Sequence, residues 1–94
     1  MIEIKKTDEG TKGYFRAFEN DTEAGRITYT FAGETKMILD HTEVNAAYRG
    51  KNIGKRILME IVTYARENNI KIIPLCPFAK SVFDVKEEIR DVLL

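Results

Sequence analysis

The hydrophobic period of this chain changes between Val44 and Ile53, and that change limits the folds open to it. Before it, apolar side chains recur at every second position, as in strands that lay one face on a core. Ile2 and Ile4 alternate with charged residues, and Ile27, Tyr29 and Phe31 alternate with Thr28 and Thr30. After it, Ile53, Ile57, Leu58, Ile61, Val62 and Ala65 fall on one stripe of an α-helix.

Turn-forming clusters divide the first half. Asp8 to Gly13, Asn20-Asp21 and Ala32-Gly33-Glu34 break the pattern into four strands: one around Ile2 and Ile4, one from Tyr14 to Phe18, one from Ala24 to Phe31 and one from Lys36 to Val44. Connections this short imply an antiparallel meander. In the second half, Asn68-Asn69 suits the C-terminal end of the helix. Ile70 to Pro77 reads as a short apolar strand closed by proline, and Val82, Val85, Ile89 and Val92 keep helical spacing to the C-terminus. A strand–helix–strand connection is right-handed and lays its last strand parallel to its first. The expected fold class is therefore α+β, in the order β-β-β-β-α-β-α. Its mixed sheet is mostly antiparallel with strands four and five parallel, in a single domain over residues 1–94.

Bulk properties narrow the function. Apolar residues at 44% and charged residues at 32% are an ordinary globular balance that argues against disorder. Fifteen basic and fifteen acidic side chains cancel, so nucleic acid and a membrane surface are not expected partners. Cys76 is the only cysteine and His41 the only histidine, which excludes an internal disulfide and a closed structural metal site. No apolar run approaches the roughly 20 residues that span a bilayer, and Met1 to Lys6 lack the pattern of a signal peptide. A cytoplasmic monomer that binds no metal is the default expectation.

The stretch Tyr48-Arg49-Gly50-Lys51-Asn52-Ile53-Gly54-Lys55-Arg56 runs straight into the helix. A basic, glycine-bearing turn there presents unpaired backbone N–H groups with the positive end of the helix dipole behind them, which suits a phosphate or pyrophosphate. Read alone, the same residues also make an ordinary solvated turn. They are not a P-loop, because the four-residue spacer before Gly-Lys and the following Ser/Thr are missing.

Together with His41-Thr42-Glu43-Val44 ahead of it and Leu75-Cys76-Pro77-Phe78 after the fifth strand, this turn resembles the GNAT N-acetyltransferase superfamily, in particular its small single-domain branch. The resemblance covers nearly the whole chain. Its acyl-CoA signature, Arg/Gln-x-x-Gly-x-Gly/Ala, falls on Arg49 to Gly54, with Asn52 where the first glycine normally stands. Asparagine is among the residues that best tolerate a left-handed backbone, so the turn is expected to survive.

The resemblance implies that acetyl-CoA is bound by Arg49, Gly50, Lys51, Asn52, Ile53, Gly54 and Lys55. It further implies that backbone groups at Val44 pair with the pantetheine amides and that Phe78 lies along the same channel. It also implies that Cys76 stands where the acetyl group would lie. Read alone, Cys76 is as well explained as a small buried filler, and nucleophilic work would need a positive or hydrogen-bonding neighbour. His41 lies on the strand beside it, so a Cys–His pair is an expectation, as is a half-exposed strand histidine. Glu43 is the other candidate base.

The expected function is N-acetyl transfer from acetyl-CoA to an unidentified amine, on a small molecule or a protein, with Cys76 and His41 as catalytic candidates. A non-catalytic acyl-CoA-binding module and a thiol-based redox protein are the alternatives. The redox reading needs an external thiol, because the chain has no second cysteine.

Overall fold

The computed structural model describes residues 1–94. Strands β1 (Ile2–Glu9), β2 (Lys12–Glu19), β3 (Thr22–Phe31) and β4 (Lys36–Val44) form the meander. Helix α1 (Ile53–Asn68) crosses to β5 (Lys71–Pro74), and α2 (Pro77–Val85) follows. The sheet order is β1-β2-β3-β4-β5, antiparallel throughout except for the parallel β4–β5 pair. The expected architecture and its single parallel junction are therefore observed. Two-residue turns at Gly10-Thr11 and Asn20-Asp21 close the first hairpins, and each begins with a left-handed residue, φ +75° at Gly10 and 55° at Asn20.

Apart from the adjacent Ala24 and Gly25, where the β2–β3 register shifts, the buried sheet residues alternate onto one side. Phe15, Ala17, Ile27, Tyr29, Met37, Leu39 and Ile72 meet the α1 stripe of Ile53, Ile57, Leu58, Ile61, Val62 and Ala65, and Phe83 and Ile89 of the C-terminal segments join the same cluster. Burying each large aliphatic or aromatic side chain contributes about 1.5–3 kcal/mol before the entropy of ordering it is set against that. The opposite sheet face has no helix over it. There Arg16 lies 5.5 Å from the Tyr14 ring and 5.2 Å from Phe18, and Arg26 lies 4.7 Å from Tyr14. Guanidinium groups thus shield the aromatic rings of that face from water without burying it.

The C-terminal third departs from expectation in three ways. Strand β5 stops at Pro74 instead of running to Pro77, because Pro77 opens α2 and Cys76 is its N-cap. A proline in the first turn of a helix loses no hydrogen bond, so it starts α2 rather than merely ending the strand. The helical spacing from Val82 to Val92 is not one helix: α2 ends at Val85, Lys86 leaves helical geometry, and a 3-10 helix covers Glu87–Val92. Val85 is consequently exposed while Ile89 and Val92 are buried. Arg66 holds the last segment to α1 through Asp91, at 2.7 Å and 3.0 Å, and Leu93 bridges to Ile72.

Strand β4 carries the irregularity that matters most. Its register against β3 slips between Thr28 and Tyr29: Tyr29 pairs Leu39 but Thr28 pairs His41, leaving Asp40 as an extra residue. A bulge of this kind inverts the alternation beyond it. Met37 and Leu39 face the helices, and after the bulge so do Thr42 and Val44, the register partners of the inward-facing Ile27 and Gly25. His41 and Glu43 are sent to the uncovered face.

Candidate functional site

Past Leu39 the two parallel strands separate. The β4–β5 pairing ends at Leu39↔Pro74, where the N–H groups of Leu75 and Cys76 both donate to the Leu39 carbonyl, at 3.1 Å and 3.0 Å. On its other side β4 stays paired with β3 as far as Gly25↔Val44. The stretch from Asp40 to Val44 therefore has one strand edge free, facing the gap that opens toward Cys76.

At the top of that gap, Asn45 shapes the chain into the turn. Its side-chain oxygen accepts from Ala47 N–H at 3.0 Å, and its amide donates to the Glu23 carbonyl at 3.2 Å. A 3-10 turn over Ala46–Tyr48 follows, and the Tyr48 hydroxyl donates to Glu19 at 2.8 Å. That hydrogen bond raises the Tyr48 pKa and keeps the ring under the turn. Gly50, at φ +80°, and Asn52, at φ 59°, ψ 31°, both take left-handed conformations. The backbone at Asn52 is thus the one that a glycine would adopt freely and asparagine tolerates.

The start of α1 is left uncapped. The Asn52 side chain makes no capping hydrogen bond, and no acidic residue occupies the first turn. The first helical donor to find an acceptor is Arg56 N–H, on the Asn52 carbonyl at 3.0 Å, so the N–H groups of Ile53, Gly54 and Lys55 have no partner. Nor do Arg49, Lys51, Lys55 or Arg56 enter any of the protein's ion pairs. Three free donors and a helix dipole meet at this helix start, with four unpaired cations distributed around the turn, an arrangement that suits a phosphate.

A cleft of about 330 Å3 runs from this turn past Val44 at the end of β4, between α1 and α2. Val44, Arg49, Gly50, Asn52, Ile53, Gly54, Lys55 and Phe78 all line it, joined by Tyr48 and Val82. Lys51 stands outside, its ammonium 5.5 Å from the Tyr48 ring, and lines a neighbouring and larger cleft between β1 and α1. Gly54 is required by space: a Cβ there would lie 2.9 Å from Cζ of Phe78, so glycine lets the Phe78 ring sit on the first turn of α1.

Cys76 is 2% exposed. Its sulfur accepts the Ala79 N–H at 3.3 Å as the N-cap of α2 and lies 3.1 Å from the Thr42 hydroxyl. Both neighbours can donate to negative charge on the sulfur. The expected pairing of Cys76 with His41 is not formed. The bulge at Asp40 puts His41 on the uncovered face, 65% exposed at its side chain, with Nε2 3.5 Å from Glu43. Thr42, which the sequence reading passed over, holds the place beside the thiol. Its signal was present: Thr42 and Val44 are out of phase with Met37 and Leu39.

The chain matches the family model described as GCN5-related N-acetyl-transferase over residues 14–92. Its structure is similar to the solution structure of a GCN5-like protein from Staphylococcus aureus, with a TM-score of 0.70 and 36% identity over 96% of this chain and 87% of that one. It also resembles a ribosomal-protein-alanine N-acetyltransferase from Brucella melitensis biovar Abortus 2308 (TM-score 0.69, 17% identity, 81% of this chain and 61% of that one). An aminoglycoside acetyltransferase from an uncultured soil metagenomic sample shares the fold at a TM-score of 0.60 and 12% identity, over 88% of this chain and 59% of that one. The chain thus spans about three-fifths of these two enzymes, and at such identities they attest the fold alone. A comparison with curated proteins returns no match. With the family model covering most of the chain and the Staphylococcus aureus structure aligned over nearly all of it, this protein belongs to the GCN5-related N-acetyltransferase family.

Proposed function

We propose that the protein uses acetyl-CoA to acetylate an amine. The observation that carries this reading is the set of unpartnered N–H groups at Ile53, Gly54 and Lys55, beside a cleft lined by Val44 at the end of the free strand edge and by Phe78 of α2. Acetyl-CoA would supply an activated acyl group on a thioester. The residues of this chain bind and orient. The α1 N-terminus and Arg49, Lys51 and Lys55 hold phosphate charge, so no metal is needed to neutralise it. The free edge of β4 from Asp40 to Val44 offers backbone groups to the amides of an extended ligand, as an added strand would. Phe78 forms one wall, and Val44 and Ile53 give the cleft its apolar lining.

At the inner end, the Thr42 hydroxyl and the α2 N-terminus surround Cys76. There the thiol either takes the acyl group, with a sulfur–carbon bond forming as the donor's breaks, or lines the site and returns a proton to the leaving thiolate. His41 and Glu43 stand on the opposite face of β4, beside the same free edge. An amine arriving from that face would find in His41 an acceptor for its proton, so donor and acceptor would meet through the gap between the strands.

Mass spectrometry after incubation with acetyl-CoA separates the readings. A noncovalent complex and turnover on an amine are expected, and an acetyl group on Cys76 would identify the covalent route. Binding without turnover on any amine would reduce the protein to a binding module. Titration calorimetry with Gly54→Asp is expected to show no heat; undiminished binding in that variant would move the ligand elsewhere. Full turnover by Cys76→Ala would remove the thiol from the chemistry.

A further inference from the structure

Strand β1 is the outer edge of the sheet, and no other strand pairs with its far side. The hydrogen bonding of β2 fixes which of its backbone groups are left over. The Phe31 N–H donates to the Thr11 carbonyl at 2.7 Å, so Thr11, Gly13 and Phe15 turn their backbone groups to β3. Lys12, Tyr14, Arg16 and Phe18 then turn theirs to β1, where their partners are Glu9, Thr7, Lys5 and Glu3. The N–H and C=O groups of Ile2, Ile4, Lys6 and Asp8 therefore point to the free edge.

A groove runs beside that edge, between β1 and α1. One part, the second cleft of about 600 Å3, places Ile2, Ile4 and Met59 beside Lys51, Lys55 and Arg56. The next part, about 200 Å3, places Ile4 and Lys6 beside Tyr64 and Glu67. Ile4 and Glu60 line both parts, so α1 runs alongside β1 in the same direction. The groove is basic next to Ile2, apolar at Ile4 and acidic next to Lys6. A charge pointing inward commonly protects an edge strand from pairing. Here the Lys6 ammonium is drawn back over the Tyr29 and Tyr64 rings, at 5.2 Å and 4.9 Å, and bonded to Asp8, so it does not block the edge.

We propose that two copies of this chain form a two-fold dimer by antiparallel pairing of β1 with β1, Ile4 lying on the axis. Only even-numbered residues can exchange hydrogen bonds across this edge, and the side-chain charges choose among the registers that remain. With the axis at Ile4, Ile2 pairs with Lys6 of the second copy, Ile4 with Ile4, and Glu3 stands opposite Lys5 twice. Axes at Glu3, Lys5 or Lys6 set a charged residue against itself. An axis at Thr7 opposes Lys5 to Glu9 but leaves Ile2 and Ile4 outside the pairing. The Ile4 axis also brings the basic end of each groove toward the Glu67 end of the other, so the helix side is self-complementary too. The α1–α2 cleft lies on the other flank of α1.

Sedimentation velocity on the whole protein over a range of concentrations tests this. One strand edge and one helix flank make a small interface, so the dimer is expected from about 0.1 mM upward, and it should weaken as salt is raised. Glu3 and Lys5 are exposed. Glu3→Lys and Lys5→Glu each set like charges opposite one another and should leave a monomer with the wild-type melting temperature in dilute solution. The double exchange Glu3→Lys/Lys5→Glu should restore the dimer. Amide exchange should slow at Ile4 and Lys6 on concentration and stay fast at Asp8. A wild type still monomeric at about 1 mM would overturn the proposal and leave the edge to a strand of another protein. A dimer that Glu3→Lys leaves intact, a double exchange that fails to restore it, or protection at Asp8 in place of Ile4 would equally overturn it.

Discussion

Gly54→Ala tests the contact on which one wall of the cleft depends. An ideal Cβ at Gly54 lies 2.9 Å, 3.1 Å and 3.5 Å from Cζ, Cε2 and Cε1 of Phe78. Carbon atoms in ordinary contact sit about 3.5–4.0 Å apart, so the tip of the ring must retreat by about 0.6 Å or more. Two terms then oppose each other. Replacing glycine by alanine inside a helix gains about 0.5–1 kcal/mol, less here because Gly54 is only the second residue of α1. Overpacking costs about 1–3 kcal/mol. The expected net is a loss of about 0–3 kcal/mol in urea unfolding, together with weaker acetyl-CoA binding as the ring is pushed off the turn. Phe78→Leu shortens the clashing group, so the pair Gly54→Ala/Phe78→Leu should be more stable than the sum of the single changes by about 1 kcal/mol. A Gly54→Ala protein stabilised by the full helix-propensity gain, with no coupling to Phe78→Leu, would show that the ring does not rest on this residue.

Two further outcomes follow from the same geometry. Asn52→Gly should bind acetyl-CoA as well as or better than the wild type in calorimetry, since glycine takes the left-handed backbone at φ 59° without a Cβ penalty; a large loss would mean that the asparagine side chain holds the ligand or the turn. Burial, with a hydrogen bond to Asp8 second, pushes the Tyr29 hydroxyl up to about 12 from its ordinary 10.0. The unfolded chain therefore releases this proton first, and stability held below pH 10 should be lost between pH 10 and about 12; Tyr29→Phe should flatten that part of a urea-midpoint profile, and an unchanged slope would refute the assignment.

Most of the sheet was legible because its residues obey one rule at a time. Ile27, Tyr29 and Phe31 alternate cleanly, and the inward positions they mark are the ones that meet the helix. The α1 stripe was equally plain, and so were its ends, at the basic turn and at Asn69, whose φ is 54°. The C-terminal third was harder because two rules compete there. Pro77 can end a strand or open a helix, and only the packing of Ala79, Val82 and Phe83 on the core decides for the helix. Val85 keeps a helical spacing to Val82 and Ile89, yet it is exposed because Lys86 breaks the helix just after it. The basic turn at the start of α1 was legible through a local motif, which a helix start carries in its own sequence. The second cleft joins β1 to α1 across about fifty residues, so no local pattern could have brought Ile2 and Ile4 to Arg56 and Met59.

The division of labour around β4 turns on the single extra residue at Asp40, and it can be tested at the thiol. An unbroken strand would put Met37, Leu39, His41 and Glu43 on one face, with the histidine turned toward the Cys76 side. The bulge reverses this: Thr42 reaches Cys76 at 3.1 Å, while Asp40 accepts from the Thr30 hydroxyl at 2.6 Å on the uncovered side. Thr42→Val keeps the size of the side chain and removes the hydroxyl, so it should change the rate at which a thiol reagent labels Cys76 severalfold. His41→Ala should leave that rate, and its pH dependence near neutrality, where they are in the wild type. The reverse result, with labelling governed by His41 and indifferent to Thr42, would place the imidazole on the thiol's face and remove the bulge from the account. Acetyl transfer has the opposite expectation. If the amine arrives from the uncovered face, His41→Ala should depress turnover and shift its pH profile while CoA affinity stays constant, because the residue that relays the proton and the residues that hold the donor lie on opposite sides of the same strand.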